Sequence, residues 1–250
     1  MKIVIIGGSG LIGKKVTALL TKAGHEAVPA SPSTGINTLT GEGLSEAFKG
    51  AQVVVDVSNS PSFEAAYVLN FFTTSAKNIT AAEKAAGVQH HVALSVVGAD
   101  RMADGGYMRA KVEQEKIIQQ AGIPYTIVRA TQFFEFLAGI ADASTQGDTV
   151  TLPQAHMQPL ASDDVAAAVA RVATAAPAND MLELAGPEKL PIADFVQKAL
   201  AAKHDKRKVV AAADGLYFGA SIGDNTLTPG GAKPLLGDTL FSNWLAAQNS

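Results

Sequence analysis

A buried strand that runs directly into three spaced glycines sets what the start of this chain can fold into. Lys2–Ile6 is a short run dominated by Ile and Val, and Ile6-Gly7-Gly8-Ser9-Gly10-Leu11-Ile12-Gly13 follows it. Leu11–Ala23 then carries Leu11, Val16, Leu19 and Leu20 at helical spacing and stops at Gly24. Strand, glycine turn and helix in that order are the context a phosphate-binding turn requires. Gly7 permits the sharp turn, Gly10 removes the Cβ that would keep a pyrophosphate off the backbone, and Gly13 lets the helix lie close to the sheet. The helix N-terminus offers N–H groups and partial positive charge to phosphates. Nucleotide binding is therefore expected at Gly7, Gly8, Ser9, Gly10, Leu11, Ile12 and Gly13.

The pattern continues as an α/β alternation. Glu26–Ala30, Val53–Val57, His91–Val97 and Thr126–Arg129 read as strands; Gly43–Lys49, Ala65–Ala86 and Tyr107–Gln120 read as helices. Short apolar strands separated by helices predict βαβ units and a doubly wound parallel sheet, the Rossmann-like fold class. After about residue 150 the texture changes. Asp163–Ala175 is an alanine-rich helix with Ser162 or Asp163 as its N-cap, Asp180–Ala185 a strand, Ile192–Lys203 a helix and Val209–Ala213 a short strand. A glycine- and proline-rich stretch over 219–237 precedes a short helix near Thr239–Ala246. The expected organisation is a dinucleotide-binding core over 1–150. Residues 151–250 elaborate the same domain and shape a substrate pocket.

Composition narrows the class. The 250 residues are 47% hydrophobic and 17% charged, enough to bury a sizeable core. A net charge of −3 gives no electrostatic footprint for nucleic acid. The absence of cysteine excludes disulfides, thiolate metal sites and cysteine nucleophiles. No apolar run reaches the roughly 18–20 residues that span a bilayer, and the start of the chain carries no signal-peptide pattern. A cytoplasmic monomer or homodimer is expected, with a small molecule as partner and neither nucleic acid nor membrane. His90-His91 makes a poor metal pair, because neighbours in a strand face opposite ways, and no metal is expected. The basic run Lys203–Lys208 reads as a solvated helix end.

Tyr107-Met108-Arg109-Ala110-Lys111 is a Y-x-x-x-K pattern opening a helix, which puts phenol and ammonium a turn apart on one face. A neighbouring cation favours phenolate, so Lys111 is expected to lower the Tyr107 pKa toward neutrality for proton exchange with a carbonyl oxygen. Ser95 ends the strand His91–Val97, at the carboxyl edge where open α/β sheets bind ligands. Its hydroxyl can hold the same oxygen. At the end of the third strand, Ser58 and Asn59 flank the expected nucleotide.

The spacing G-x-x-G-x-x-G on Gly7, Gly10 and Gly13 resembles the short-chain dehydrogenase/reductase superfamily, and the first residues look most like its atypical, NmrA-like NAD(P)H-binding branch. The resemblance extends through Val53–Val57, Ala85-Ala86-Gly87-Val88, His91–Val97 and Pro124–Arg129, and covers about residues 1–175. It implies hydride-transfer chemistry with a catalytic set of Tyr107 as acid/base, Lys111 on the nicotinamide ribose and Ser95 orienting the substrate. It also implies Thr131 against the nicotinamide. Of Phe133, Phe134 and Phe136, two are expected to be ordinary core. No carboxylate occupies Ala30-Ser31-Pro32-Ser33-Thr34, where NAD-specific sites hold the ribose 2′-hydroxyl. Ser31 and Ser33, with Lys14 nearby, favour NADP(H) over NAD(H). The leading function is an NAD(P)H-dependent oxidoreductase acting on a carbonyl, quinone or related small molecule. The competing readings are a redox-sensing regulatory or assembly protein without turnover, and an epimerase or dehydratase using held NAD.

Overall fold

The computed structural model describes residues 1–102, 106–231 and 233–248. In chain order the elements begin with β1 (Lys2–Ile6), α1 (Leu11–Lys22), β2 (Glu26–Ala30), α2 (Leu44–Phe48), β3 (Val53–Asp56) and α3 (Ala65–Ala86). There follow β4 (His90–Val96), α4 (Gly106–Gln120), β5 (Tyr125–Ala130), α5 (Leu137–Ala143), β6 (Thr145–Gln146), β7 (Thr149–Pro153) and β8 (His156–Met157). The last are α6 (Ser162–Thr174), β9 (Asp180–Ala185), β10 (Leu190–Pro191), α7 (Ile192–Ala202), β11 (Lys208–Ala212), β12 (Leu235–Leu236) and α8 (Phe241–Gln248). They form two compact units: Met1–Arg129 with Val165–Leu182, and Ala130–Asp164 with the chain from Glu183 onward.

The first unit is the doubly wound α/β sheet, with strands in the order β9-β5-β4-β3-β1-β2. β1 pairs parallel with both β2 and β3, matching Ile6 to Ala30 on one side and to Asp56 on the other. β3 pairs parallel with β4, Val54 opposite His91 and Asp56 opposite Ala93. The pleat sends alternate residues of a strand to opposite faces. Val4, Ile6 and Val54 accordingly pack with Leu44 and Phe48 of α2 and Ile79 of α3. The 22-residue α3 has defined ends. The Glu64 carboxylate accepts from the N–H groups of Ala66 (3.0 Å) and Tyr67 (2.8 Å), and Gly87 closes the helix at φ +70°, a conformation that costs other residues energy. Because β2 and β3 lie on either side of β1, successive connections diverge at the β1/β3 boundary. In open sheets that is where ligands bind.

The second unit has smaller sheets: β11-β7-β6, with β7 and β11 parallel, and an antiparallel pair β8–β10. β12 pairs parallel with Leu184 and Ala185, the end of β9. Its aromatic core is Phe134 with Phe241 and Trp244, and Phe195 on Phe241. Of the three phenylalanines after β5, one is core rather than two. Phe133 is half-buried and stacks on Phe136, which is 50% exposed. α6 starts at Ser162, whose hydroxyl donates to Glu135, and Asp164 accepts from the backbone and hydroxyl of Thr239. Among the described residues, no helix is long and apolar enough to cross a membrane.

Candidate functional site

The glycine turn sits at the β1/β3 boundary, and each glycine there has a separate reason. Gly7 has φ +80°, and a Cβ on it would lie 2.8 Å from the Ser58 backbone. A Cβ on Gly8 would lie 2.6 Å from Pro29 Cβ, and one on Gly13 only 2.2 Å from the Gly7 carbonyl oxygen. These three are therefore required by the protein's own packing. Gly10 is different: its nearest neighbour would be the Gly7 oxygen at 3.3 Å, a contact that small adjustments relieve. Gly10 is also the N-cap of α1 and supplies no side-chain cap, and the first turn holds no acidic residue. The first i→i−4 bond is Lys14 N–H to Gly10 O, so the amides of Leu11, Ile12 and Gly13 precede it. A cradle that a Cβ would fill, backed by helix-start amides and no anion, fits a phosphate diester.

Two strand ends flank this turn. Gly7 and Gly8 donate their N–H groups to the last carbonyl of β2, Ala30 O. Beyond it, Ser31 caps a short 3-10 turn over Pro32–Thr34, with its Oγ 2.8 Å from Ser33 Oγ and its N–H donated to Thr34 Oγ1. Ser31 is buried and Ser33 exposed. At the end of β3, Asp56 Oδ1 accepts from both the N–H and the hydroxyl of Ser58 (3.0 and 2.6 Å). Asn59 Oδ1 accepts from the Tyr107 hydroxyl at 3.0 Å.

Tyr107, Lys111 and Ser95 all lie in the first unit. Tyr107 is half-buried, its ring against Phe63 and edge-on to Phe72. Lys111, 2% exposed, places Nζ 4.4 Å from the Phe72 ring centroid, donates to Leu94 O at 2.9 Å and donates to Gln114 Oε1. Phenol and ammonium thus share Phe72 as a neighbour while their polar ends go to different partners. The expected depression of the Tyr107 pKa is overturned. Loss of water around the phenol pushes it up to about 12, and Lys111 does not offset that. Burial lowers Lys111 itself to about 8, although Asp56 and Glu115 pull the other way. Ser95 is 3% exposed, and its Oγ has no hydrogen-bond partner among the described residues. It directly follows Leu94, whose carbonyl holds Lys111. Thr131 belongs to the second unit, where it is buried and donates its hydroxyl to Gln158 O at 2.6 Å.

Gln114 escaped the sequence reading. Its Nε2 donates to Asp56 Oδ2 at 2.9 Å while its Oε1 takes the Lys111 ammonium. The available signal was spacing: Lys111, Gln114 and Glu115 occupy the buried stripe of α4 between Ala110 and Ile118, where a helix ordinarily places apolar residues. Glu115 is there for Arg129, which it binds through both carboxylate oxygens at 2.8 and 2.6 Å.

The fold and the turn define an α/β dinucleotide-binding protein of the Rossmann kind. The sequence profile of the NAD(P)H-binding family matches residues 7–176, and the chain belongs to that family, in its NmrA-like, atypical short-chain dehydrogenase/reductase branch. Its relatives include the Photosystem II assembly factor Ycf39 of Cyanophora paradoxa, 24% identical over 56% of this chain. They also include the (4-alkanoyl-5-oxo-2,5-dihydrofuran-3-yl)methyl phosphate reductase of Streptomyces griseus, 27% identical over 52%. The matched stretch spans about half of each relative, 48% in both cases. Among solved structures, the NADPH complex of a quinone oxidoreductase from Escherichia coli superposes with TM-score 0.73 at 20% identity, covering 99% of this chain and 100% of that one. The NADP complex of dTDP-4-dehydrorhamnose reductase from Bacillus anthracis gives 0.69 at 13% identity over 85% of each. At these identities the likeness is one of fold.

Proposed function

We propose that the protein is an NAD(P)H-dependent oxidoreductase that reduces a carbonyl or quinone on a small molecule. The observation that carries this reading is Ser95: a buried hydroxyl with no hydrogen-bond partner among the described residues, at the carboxyl edge of the sheet, in the residue after the carbonyl that anchors Lys111. A buried hydroxyl left unpaired costs about 1–3 kcal/mol, which a substrate oxygen arriving there would offset. The amides of Leu11, Ile12 and Gly13, with Gly10 open beside them, would hold the pyrophosphate. Ser58 and Asn59 would flank the adenosine, and Ser31 and Ser33 would meet a 2′-phosphate. The bound nicotinamide supplies a hydride.

The chain's own groups do the rest. Ser95 Oγ donates a hydrogen bond to the carbonyl oxygen and orients it. Tyr107, with its pKa raised, stays protonated throughout the neutral range and gives its Oη proton to the oxygen as negative charge develops there. Without substrate the same O–H is donated to Asn59 Oδ1, a bond it would exchange for the carbonyl oxygen. Lys111 contributes positive charge from a fixed, buried position. With no carboxylate at the end of β2, a modest preference for NADPH follows.

A second reading, dinucleotide binding without turnover, draws on the closure of the Lys111 ammonium onto the protein's own acceptors. One experiment separates the two: NADPH consumption followed by absorbance against a panel of aldehydes, ketones and quinones. The reductase reading expects turnover with at least one class and a loss on the order of 10²–10⁴-fold in Tyr107→Phe. Tight dinucleotide binding with no consumption of any acceptor contradicts it and supports the second.

A further inference from the structure

We infer that Gln114 is a positioning residue for the reaction: its carboxamide holds the Lys111 ammonium against the Leu94 carbonyl and ties it, through Asp56, to Ser58 beside the glycine turn. This rests on the reductase reading.

The chain of contacts is continuous, and its centre, Asp56, Gln114 and Lys111, is buried. Ser58, whose backbone lies against Gly7, donates its N–H and hydroxyl to Asp56 Oδ1. Asp56, 1% exposed, receives Gln114 Nε2 on Oδ2 at 2.9 Å. Gln114, also 1% exposed, presents Oε1 to Lys111, and Lys111 reaches Leu94 O at 2.9 Å. A carboxylate only accepts and an ammonium only donates, so the carboxamide can satisfy both in one orientation alone. No other side chain of this length and neutral charge bridges an acceptor to a donor. Leucine would strand both charges, and glutamate would face Asp56 with like charge.

The spacer has a consequence. It stands between Asp56 and Lys111 in place of a direct ion pair, and the ammonium bonds the carbonyl of Leu94, the residue before Ser95. The groups facing Lys111 are Asp56 from β3, Glu115 from α4, the Phe72 ring from α3 and the Leu94 carbonyl from β4. Glu115 is occupied by Arg129 of β5, and His91 of β4, held by Glu83 of α3, stands behind Asp56. Gln114 is the neutral member of this set, and it alone bonds the ammonium through a side chain among the described residues.

The test uses the full chain with lysine labelled in nitrogen-15. The Lys111 Nζ resonance is assigned by its loss in Lys111→Arg and titrated in wild type, Gln114→Glu and Gln114→Leu, alongside the pH profile of kcat/KM. In Gln114→Glu a carboxylate replaces the carboxamide oxygen at the ammonium, and the Lys111 titration should move up by at least one pH unit. In Gln114→Leu the charged form loses an acceptor, and the titration should move down. The alkaline limb of kcat/KM should follow each shift. If Gln114→Leu does not fold, the glutamate variant, nearly the same in shape, carries the test. Variants that are merely less stable, with the Lys111 titration and the alkaline limb unmoved, overturn the assignment. A titration that moves in a protein with no turnover, wild type included, supports the tether and removes the reductase reading instead.

Discussion

Gly10 and Gly13 lie three residues apart in one turn, yet the structure gives them different jobs. Gly13 has a carbonyl where its Cβ would go, whereas Gly10 has space. Gly13→Ala should therefore cost stability, on the order of the 1–3 kcal/mol typical of overpacking, read as a lower denaturation midpoint. Gly10→Ala should fold at nearly the wild-type temperature and lose dinucleotide affinity by tenfold or more in calorimetry. Equal stability losses in both would mean that Gly10 serves packing alone. The sequence reading gives the two glycines different roles, Gly10 for the approach of a pyrophosphate and Gly13 for close packing of the helix. What it cannot show is the atom opposite each, which for Gly13 is the Gly7 carbonyl oxygen. Gly8 belongs to the expected nucleotide-binding set, and its lack of a side chain has a packing reason of its own, the closeness of Pro29. At the end of β2, the missing carboxylate predicts a higher kcat/KM with NADPH than with NADH. A tenfold preference for NADH, about 1.4 kcal/mol, would contradict it.

At the scale of elements, β4 shows what a strand does with adjacent histidines. His90 Nε2 lies 2.9 Å from Thr126 Oγ1 and His91 Nδ1 lies 2.6 Å from Glu83 Oε1, on opposite faces as the pleat dictates. Burial, reinforced by the charge on His91, holds His90 down to about 4. Burial also opposes the charged form of His91, but Glu83, aided by Asp56, outweighs it and holds His91 above its ordinary value. The unfolded chain titrates both near 6.5. Between about pH 4 and 6.5 the unfolded chain binds a proton that His90 refuses, so stability falls as pH falls. Between 6.5 and the raised value of His91 the folded chain holds the extra proton, so stability falls as pH rises. Thermal melts across pH 4–9 should show His90→Gln flattening the acid limb and His91→Gln the alkaline one. Limbs of wild-type slope in both variants would show that other groups set the profile. The strands and helices of the first unit were legible because most are apolar runs or amphipathic repeats. The polar stripe Lys111-Gln114-Glu115 was not, since its residues are satisfied by partners on β3, β4 and β5 that periodicity does not reveal. β6, β8, β10 and β12 are two residues each and carry no periodic signal at all.

For the molecule as a whole, the strand–turn–helix start and the β/α alternation carried the fold class, because burial on both sheet faces imposes a composition on every strand. The chemistry was less legible. Y-x-x-x-K places two side chains on one helical face, but only the packed structure shows that the phenol turns to Asn59 and the ammonium to Leu94 and Gln114. Their electrostatics followed the burial, not the spacing, which is why the phenol is raised and not lowered. At both levels the glycine turn is the place proposed for the dinucleotide, and everything proposed for Ser95, Tyr107 and Lys111 presupposes it. The most direct measurement is isothermal calorimetry of NADPH with the wild-type chain and with Gly10→Val, each checked for folding by circular dichroism. The wild type should bind, and the folded variant should lose that binding because its branched side chain occupies the phosphate cradle. Undiminished affinity in a folded Gly10→Val protein would place the phosphates elsewhere and contradict the account.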